Sequence, residues 1–226
     1  MAPIEKLRIA VEGAGEVSAL LLRPAKSRWM LALAHGAGAG MSHSFMEALA
    51  EELAGFGVAT LRYQFPYMED KRGVPDRPKV LMATVAAAVR SAKDAAPGLP
   101  VLAGGKSMGG RMSSQAAAEG LLSGDVRGLV FFGFPLHPPK QPGTKRAVHL
   151  FKVPVPMLFL QGTRDALADL KLLRPVCNEL GSRATLHVIE TADHSFHVLK
   201  KSARNDQEVL RELAATTASW AERIAG

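Results

Sequence analysis

The stretch that most constrains this chain is a short apolar run that ends in glycines, carries a serine and continues into an alanine-rich helical pattern. It covers residues 101–110, and its centre at 105–109 reads GKSMG. This matches Gly-x-Ser-x-Gly, in which a serine occupies a sharp turn between a strand and a helix. Glycine on both sides relieves crowding against the neighbouring backbone, because it lacks a Cβ. The stretch predicts a strand, a tight turn and a helix, with Ser107 exposed as a nucleophile at the turn.

Two other interpretations of this stretch have to be weighed against the rest of the chain. A phosphate-binding loop, Gly-x-x-x-x-Gly-Lys-Ser, would need glycine at position 100, where the chain has Pro100. An ordinary glycine-rich turn is also compatible with the pattern, since the chain holds 21 glycines in 226 residues. Only partner residues elsewhere can decide between a nucleophile and a plain turn.

Composition narrows the class of protein. A hydrophobic content of 47% with 22% charged residues is typical of a globular chain. No signal-peptide core or long apolar run occurs, and the lone Cys177 fits a reducing compartment, so we expect a cytoplasmic protein without a membrane partner. The net charge of +7 is scattered, without basic blocks interleaved with aromatics, so no nucleic-acid partner is expected. The oligomeric state is left open.

Strand-like runs alternate with helical patterns along the whole chain. We predict a leading hairpin, then buried strands separated by helices, which indicates an α/β fold with a mostly parallel sheet of about 7–8 strands and helices on both faces. The chain, 1–226, is expected to form a single domain. Predicted strands cover residues 7–11, 17–22, 29–34, 58–62, 101–103, 128–132, 155–160 and 184–189, and predicted helices cover 44–54, 79–95, 108–119, 167–180 and 205–224.

Ligands of such sheets bind beyond the carboxyl ends of the strands, so residues that directly follow strands are candidates for a site. Ser107, Asp165 and His194 each follow a predicted strand, in the chain order serine, acid, histidine. A serine hydroxyl needs a base to accept its proton, and a carboxylate behind the histidine holds its tautomer. We therefore predict Ser107 as nucleophile, His194 as base and Asp165 as orienting acid. Asp169 and His197 are the alternative acid and base, and capping of the following helix is the alternative role of Asp165.

The glycine-rich loop after the strand at 29–34 completes the predicted chemistry. Attack on a carbonyl places negative charge on oxygen, and backbone N–H groups must meet that charge. One donor is expected from Met108 and the other from Ala37, with Gly38 as second choice. A dinucleotide-binding loop is disfavoured, because Met41 stands where Gly-x-Gly-x-x-Gly requires its last glycine.

Six ordered motifs between about residues 30 and 200 resemble one α/β-hydrolase-like family. The animal members of that family include a testis-expressed protein and a subunit of the NSL histone-acetyltransferase complex, and the wider group is similar to dienelactone hydrolases. The resemblance implies the α/β-hydrolase fold. Dienelactone hydrolases proper use a cysteine where this chain has Ser107, which speaks against that particular substrate. The motifs are 35–38 (HGAG), 62–68 (RYQFPYM), 104–111 (GGKSMGGR), 133–139 (GFPLHPP), 161–165 (QGTRD) and 193–196 (DHSF).

These observations predict a serine hydrolase acting on esters or thioesters of small acyl groups, without metal or cofactor. The segment 133–154 is too short for a large lid domain, so an open site is expected. Lys106, Arg111 and Arg164 flank catalytic positions and either attract a substrate carboxylate or are solvated charges. The alternative function is a non-catalytic interaction or scaffold protein, although a scaffold has no physical need for the full set of catalytic residues. The predicted substrate-binding residues are Tyr67, Phe134, Leu136 and His137.

Overall fold

Eight segments form one sheet in the computed structural model, which describes residues 2–122 and 124–225. The strand order is β1-β2-β4-β3-β5-β6-β7-β8. β1 and β2 form the predicted hairpin, β2 pairs antiparallel with β4, and the remaining neighbours are parallel. The strands are β1 (Ile4–Val11), β2 (Gly15–Leu22), β3 (Trp29–Ala34), β4 (Val58–Tyr63), β5 (Val101–Lys106), β6 (Gly128–Phe132), β7 (Met157–Gly162) and β8 (Ala184–Ile189).

Helices cover both faces of this sheet. Two of them, α1 and α6, pack on one face, and α3, α4 and α5 pack on the other. Every residue of β3, β4, β6 and β7 is buried, as expected for strands that helices cover on both faces. The helices are α1 (Ser44–Gly55), α2 (Pro66–Glu69), α3 (Pro78–Ala95), α4 (Met108–Ala118), α5 (Leu170–Leu180) and α6 (Asp206–Ala225), with 3₁₀ turns at Lys145–Lys152 and Gly181–Arg183.

The predicted fold class is confirmed: the sheet is mostly parallel, and helices lie on both of its faces. The segment 133–156 between β6 and β7 carries only the 3₁₀ turn Lys145–Lys152, so no lid domain is inserted there. Among the described residues, no helix combines the length and apolarity needed to cross a membrane.

Some predicted boundaries are wrong for identifiable reasons. β5 continues through its glycines to Lys106, because Gly104 and Gly105 still pair with β6 and β3. β7 is shifted toward the C-terminus and ends at Gly162. α5 begins at Leu170 instead of 167, because the side chain of Asp169 accepts a hydrogen bond from Lys171 N and caps the helix there.

The glycines around the turn allow close contact between β5, α4 and their neighbours. A Cβ at Gly105 would lie 2.2 Å from Ala34 O, and one at Gly109 would lie 2.6 Å from His35 O. Both distances are shorter than any real contact, and the opposing atoms are backbone, which cannot move aside without distorting the sheet. The flanking glycines are therefore required by packing.

Replacing Gly109 by alanine is expected to destabilise the protein by about 1–3 kcal/mol or more, because the added methyl group overpacks this junction. Urea unfolding measures the effect as a lower transition midpoint. The matched control is Gly143→Ala, since a Cβ at Gly143 meets nothing within 4 Å. Equal midpoints for the two variants would contradict the packing argument.

Candidate active site

Ser107 sits at the junction of β5 and α4 in a strained backbone conformation. Its φ is 50° and its ψ is −116°, in the positive-φ region that residues other than glycine rarely adopt. Such a residue costs about 1–3 kcal/mol and persists only where its surroundings hold it. Ser107 N donates to Phe132 O at 3.2 Å, which ties the turn to the end of β6. The turn presents the hydroxyl beyond the carboxyl edge of the sheet.

A histidine from the loop after β8 meets this hydroxyl. His194 Nε2 lies 2.9 Å from Ser107 Oγ, and His194 Nδ1 lies 2.7 Å from Asp165 Oδ2. A carboxylate only accepts hydrogen bonds, so Nδ1 carries the proton and donates to Asp165. Nε2 is therefore free to accept from the serine hydroxyl. In this arrangement the histidine can take the serine proton during attack on a substrate.

Asp165 is fully enclosed and accepts hydrogen bonds on both carboxylate oxygens. Its side chain is 0% exposed. Besides His194 Nδ1, it accepts from Leu167 N at 2.7 Å and from Gln161 Nε2. The other end of the Gln161 amide accepts from Phe134 N at 3.0 Å. Sequence reasoning missed Gln161, although its place at the end of β7, in the same motif as the acid, was a usable signal.

The structure does not bring the two alternative residues to Ser107. His197 Nδ1 lies 2.6 Å from Asp206 Oδ2, at an exposed pair beside the start of α6. Asp169 caps α5, as described above, so the capping role weighed for Asp165 belongs to Asp169. Ser107, Asp165 and His194 are the predicted residues that the fold places in one hydrogen-bonded chain.

The predicted oxyanion donors lie on either side of the serine. Met108 is the first residue of α4, so its N–H is one of the helix N-terminal groups without an intrahelical partner. Ala37 borders the same cavity as Ser107, and a Cβ at the preceding Gly36 would lie 3.7 Å from Ser107 Cβ. Gly38 N, the second choice, already donates to Tyr67 Oη at 3.1 Å. This contact leaves Ala37 as the better candidate.

A buried histidine fixes the start of the loop that carries Ala37. His35 Nε2 accepts from Phe65 N at 3.1 Å, and His35 Nδ1 lies 2.7 Å from Gly36 O. Burial lowers the pKa of His35 to about 4, so the ring is neutral near pH 7. A neutral ring with one donor and one acceptor matches these two contacts, and His35 acts as a fixed support for the loop.

The segment after β4 holds the rest of this loop in place. Gln64 Oε1 accepts from Met41 N at 2.8 Å, and the buried Arg62 donates to Met41 O at 3.2 Å. Tyr67 adds the contact to Gly38. The motif at 62–68 thus supports the loop that carries Ala37, a role that the sequence alone did not indicate.

Replacing Tyr67 by phenylalanine is expected to lower the free energy of unfolding by about 1 kcal/mol, because Gly38 N loses the hydroxyl that accepts its hydrogen bond. Urea unfolding measures the effect as a lower transition midpoint. An unchanged midpoint would contradict the supporting role of Tyr67.

A cavity of about 620 Å³ opens over Ser107. Its walls come from the loop after β3, the start of α1, the loop after β8 and α6. The lining residues include Gly36, Ala37, His43, Phe45, Met46, Lys106, Leu167, His194, Phe196 and Leu210.

None of the four predicted substrate-binding residues lines this cavity. Tyr67, Phe134 and Leu136 are 0% exposed and His137 is 5% exposed. Phe134 packs on Phe131 and Phe159, which extends the core past the end of β6. His137 Nε2 accepts from Asp169 N at 3.2 Å, so this ring supports the start of α5.

The three basic residues that flank catalytic positions have different surroundings. Lys106 lines the cavity, and its ammonium donates to His194 O at 2.6 Å. Arg164 is exposed and donates to Thr191 O at 3.0 Å. Arg111 does not line the cavity. Only Lys106 is placed to act on the site.

A second serine–histidine pair lies in the fold, away from the cavity. Ser114 Oγ is 2.8 Å from His149 Nε2. Burial, aided by the charge of Arg111, lowers the pKa of His149 to about 4. Ser114 is fully buried and no described carboxylate holds the histidine, so this pair lacks both access and an orienting acid.

A larger groove of about 870 Å³ lies at the amino ends of β3 and β5, on the side of the sheet away from Ser107. Trp29, Pro100 and Arg127 line it, and its described lining includes no serine, histidine or cysteine. Within residues 2–122 and 124–225, no group of three or more histidine, cysteine, aspartate or glutamate side chains is placed to hold a metal ion.

Comparison with known proteins gives the family. A sequence model described as an alpha/beta hydrolase domain matches residues 27–222. The chain belongs to the alpha/beta hydrolases. The predicted membership of this superfamily is therefore confirmed.

Solved alpha/beta hydrolases share the fold over almost their whole length. An alpha-beta serine hydrolase homologue from Coxiella burnetii is 20% identical with a TM-score of 0.76, covering 96% of this chain and 98% of its own. A dienelactone hydrolase from Anabaena variabilis is 20% identical with a TM-score of 0.75, covering 98% and 97%. A serine hydrolase without lid from Xanthomonas campestris is 17% identical with a TM-score of 0.74, covering 97% and 96%. These similarities concern the fold.

Proposed function

We propose that this alpha/beta hydrolase is a serine hydrolase that cleaves esters or thioesters of small acyl groups through an acyl-enzyme on Ser107. One observation carries the proposal: the continuous hydrogen-bonded chain from Ser107 Oγ through His194 to Asp165, with distances of 2.9 Å and 2.7 Å. A strained serine joined to an oriented histidine matches the requirements of nucleophilic catalysis.

In the first half of the reaction Ser107 Oγ attacks the substrate carbonyl carbon while His194 Nε2 takes the hydroxyl proton. The carbonyl π electrons move to oxygen, and the N–H groups of Met108 and Ala37 face that charge. When the tetrahedral species collapses, the bond to the alcohol or thiol breaks. His194 returns its proton to the leaving group, and Asp165 stabilises the imidazolium between these two transfers.

In the second half a water molecule attacks the acyl-enzyme and His194 Nε2 accepts one of its protons. The collapse of the second tetrahedral species breaks the bond to Ser107 Oγ, which takes the proton back from His194. The products are a carboxylic acid and the regenerated serine. Every proton passes through His194, and no residue changes its net protonation over the cycle.

The size of the acyl group is proposed from the cavity. A volume of about 620 Å³ has to hold both the acyl part and part of the leaving group, and the segment 133–156 supplies no lid to enclose a long chain. Phe45 and Phe196 give it an aromatic wall, with ring centroids 5.8 Å apart. Short acyl chains with an apolar leaving group suit this shape. We also propose a single domain and a cytoplasmic location, the latter on the free, buried Cys177.

A fluorophosphonate probe tests the proposal, because it bonds covalently only to an activated serine. Labelling of wild-type protein is expected on the peptide that contains Ser107 and should be lost in Ser107→Ala. A panel of acetyl, butyryl and octanoyl p-nitrophenyl esters with an acetyl thioester then measures acyl length, with the highest kcat/KM expected for the short chains. No labelling and no turnover, together with a partner bound equally by both proteins, would favour the scaffold function.

A further inference from the structure

Lys106 occupies the position directly before Ser107 and joins several parts of the site. Its side-chain stem passes over the loop after β3: a Cβ at Gly36 would lie 3.6 Å from Lys106 Cγ. Its ammonium donates to His194 O at 2.6 Å, on the backbone of the proposed base, 88 residues away in the chain. One side chain thus contacts both the loop that carries Ala37 and the loop that carries His194.

The surroundings of the ammonium are unusual for a lysine. Nζ lies 6.0 Å from the ring centroid of Phe45 and 5.6 Å from that of Phe196, within range of cation–π attraction. A Cβ at Gly133 would lie 3.3 Å from Nζ, 3.5 Å from Asp165 Oδ2 and 3.5 Å from His194 Cε1. The ammonium therefore lies beside the histidine–aspartate pair and is attached to the histidine loop by a charge-assisted hydrogen bond.

We propose that Lys106 is a positioning residue for the proposed hydrolysis: its ammonium holds the backbone of His194 so that Nε2 stays within reach of Ser107 Oγ. This inference rests on the proposed function, since it concerns the same base. Lys106 acts through His194 and takes no part in proton transfer.

The electrostatics of the site support this role. Burial lowers the pKa of Lys106 to about 8, and the carboxylates of Asp165 and Asp193 offset only part of this effect. The other titratable side chains that line the same cavity are His43, His194, His197 and Asp206, and the ring of Phe45 on α1 lies 6.0 Å from the ammonium. Keeping the ammonium charged near pH 7 opposes folding, because the unfolded chain holds that proton more easily, with an ordinary pKa of 10.5.

The pH dependence of the protein's stability distinguishes a positioning role of Lys106 from a purely structural one. Between about pH 8 and 10.5 the unfolded chain binds a proton that the folded chain has lost, so the stability of the wild type should rise with pH in this window. A methionine at this position carries no charge to bury and packs well against aromatic rings. A Lys106→Met variant should therefore melt at a higher temperature at pH 7 and yet be a poorer catalyst.

The experiment compares wild type, Lys106→Met and the control Lys93→Met, whose lysine pairs with Asp125 at the opposite edge of the sheet. For p-nitrophenyl acetate we expect kcat of Lys106→Met to fall about tenfold or more, while KM stays within twofold of the wild-type value. This pattern is expected because a positioning residue affects the transition state more than the binding of substrate. The wild-type kcat should decline above about pH 8, and Lys106→Met should lack that decline. Lys93→Met should match the wild type.

Rescue adds a second, independent measurement. Lys106→Cys treated with 2-bromoethylamine regains an ammonium at nearly the original length, whereas burial raises the pKa of Cys177 to about 11 and keeps that thiol unreactive. Alkylation should restore kcat and move the alkaline decline to lower pH, because the new thioether makes the amine less basic. Treated wild-type protein is the control.

Each outcome bears on the proposal. A Lys106→Met variant with unchanged kcat, or one that loses kcat and also melts at a lower temperature, overturns it, as does an alkylated Lys106→Cys variant that stays slow. If the probe labels Ser107 in the wild type while these results appear, the proposed function stands and only the role of Lys106 falls. If the wild type is neither labelled nor active, the proposed function itself has failed.

Discussion

Replacing Ser107 by alanine is expected to lower kcat for p-nitrophenyl acetate by about 10⁴-fold or more, since removal of the serine nucleophile from a comparable triad costs about 10⁶-fold. The loss is large because His194 Nε2 lies 2.9 Å from Ser107 Oγ, and without that hydroxyl it has no nucleophile to deprotonate. The residual rate would reflect binding and oxyanion stabilisation alone. Steady-state kinetics on protein of checked folding measure the loss.

The matched control for this variant is Ser114→Ala. Ser114 lies on the same helix and also contacts a histidine, His149, at 2.8 Å. It is buried away from the cavity, so its removal should leave kcat within about twofold of the wild type. A Ser107→Ala variant that keeps a tenth of the wild-type rate would contradict the proposed acyl-enzyme.

Replacing Asp165 by asparagine should be almost as damaging, with a loss of about 10⁴-fold in kcat, because the histidine then adopts the wrong tautomer. Oδ2 accepts from both His194 Nδ1 and Gln161 Nε2. An amide nitrogen at that place would oppose two donors, and turning the amide would oppose Leu167 N instead. His194 would be pushed to the tautomer with its proton on Nε2, which cannot accept from the serine.

Asp169→Asn is the control for this change of charge. Its carboxylate caps α5 by accepting from Lys171 N at 2.8 Å, and asparagine caps helices about as well as aspartate. Activity and melting temperature should both stay near those of the wild type. Equal losses in the two variants would mean that the net charge of this loop, rather than the orientation of His194, governs catalysis.

Much of this site could be predicted because it depends on local rules. Chemistry in a parallel sheet collects at the carboxyl ends of strands, and Ser107, Asp165 and His194 are polar residues at such ends. Asp165, rather than Asp169, contacts His194 even though β7 ends two residues later than predicted, because the strand still ends before the acid.

The walls of the cavity could not be predicted, for a physical reason. Phe134 and Leu136 come shortly after β6, but their apolar side chains pack into the core and are fully buried. The true walls include Phe45 and Leu210, which approach Ser107 only because α1 and α6 pack on the same face of the sheet. The contact of Lys106 with His194 likewise depends on how two distant loops meet. Such long-range placements leave no local pattern in the sequence.

The position of the larger groove has a practical consequence for handling the molecule. The groove lies on the edge of the sheet opposite Ser107, and Asp94 is part of its wall. Since Cys177 is buried and its pKa is raised to about 11, a cysteine placed at Asp94 would be the reactive thiol of the chain. Attachment to a surface through that thiol would leave the cavity over Ser107 on the side that faces the solution.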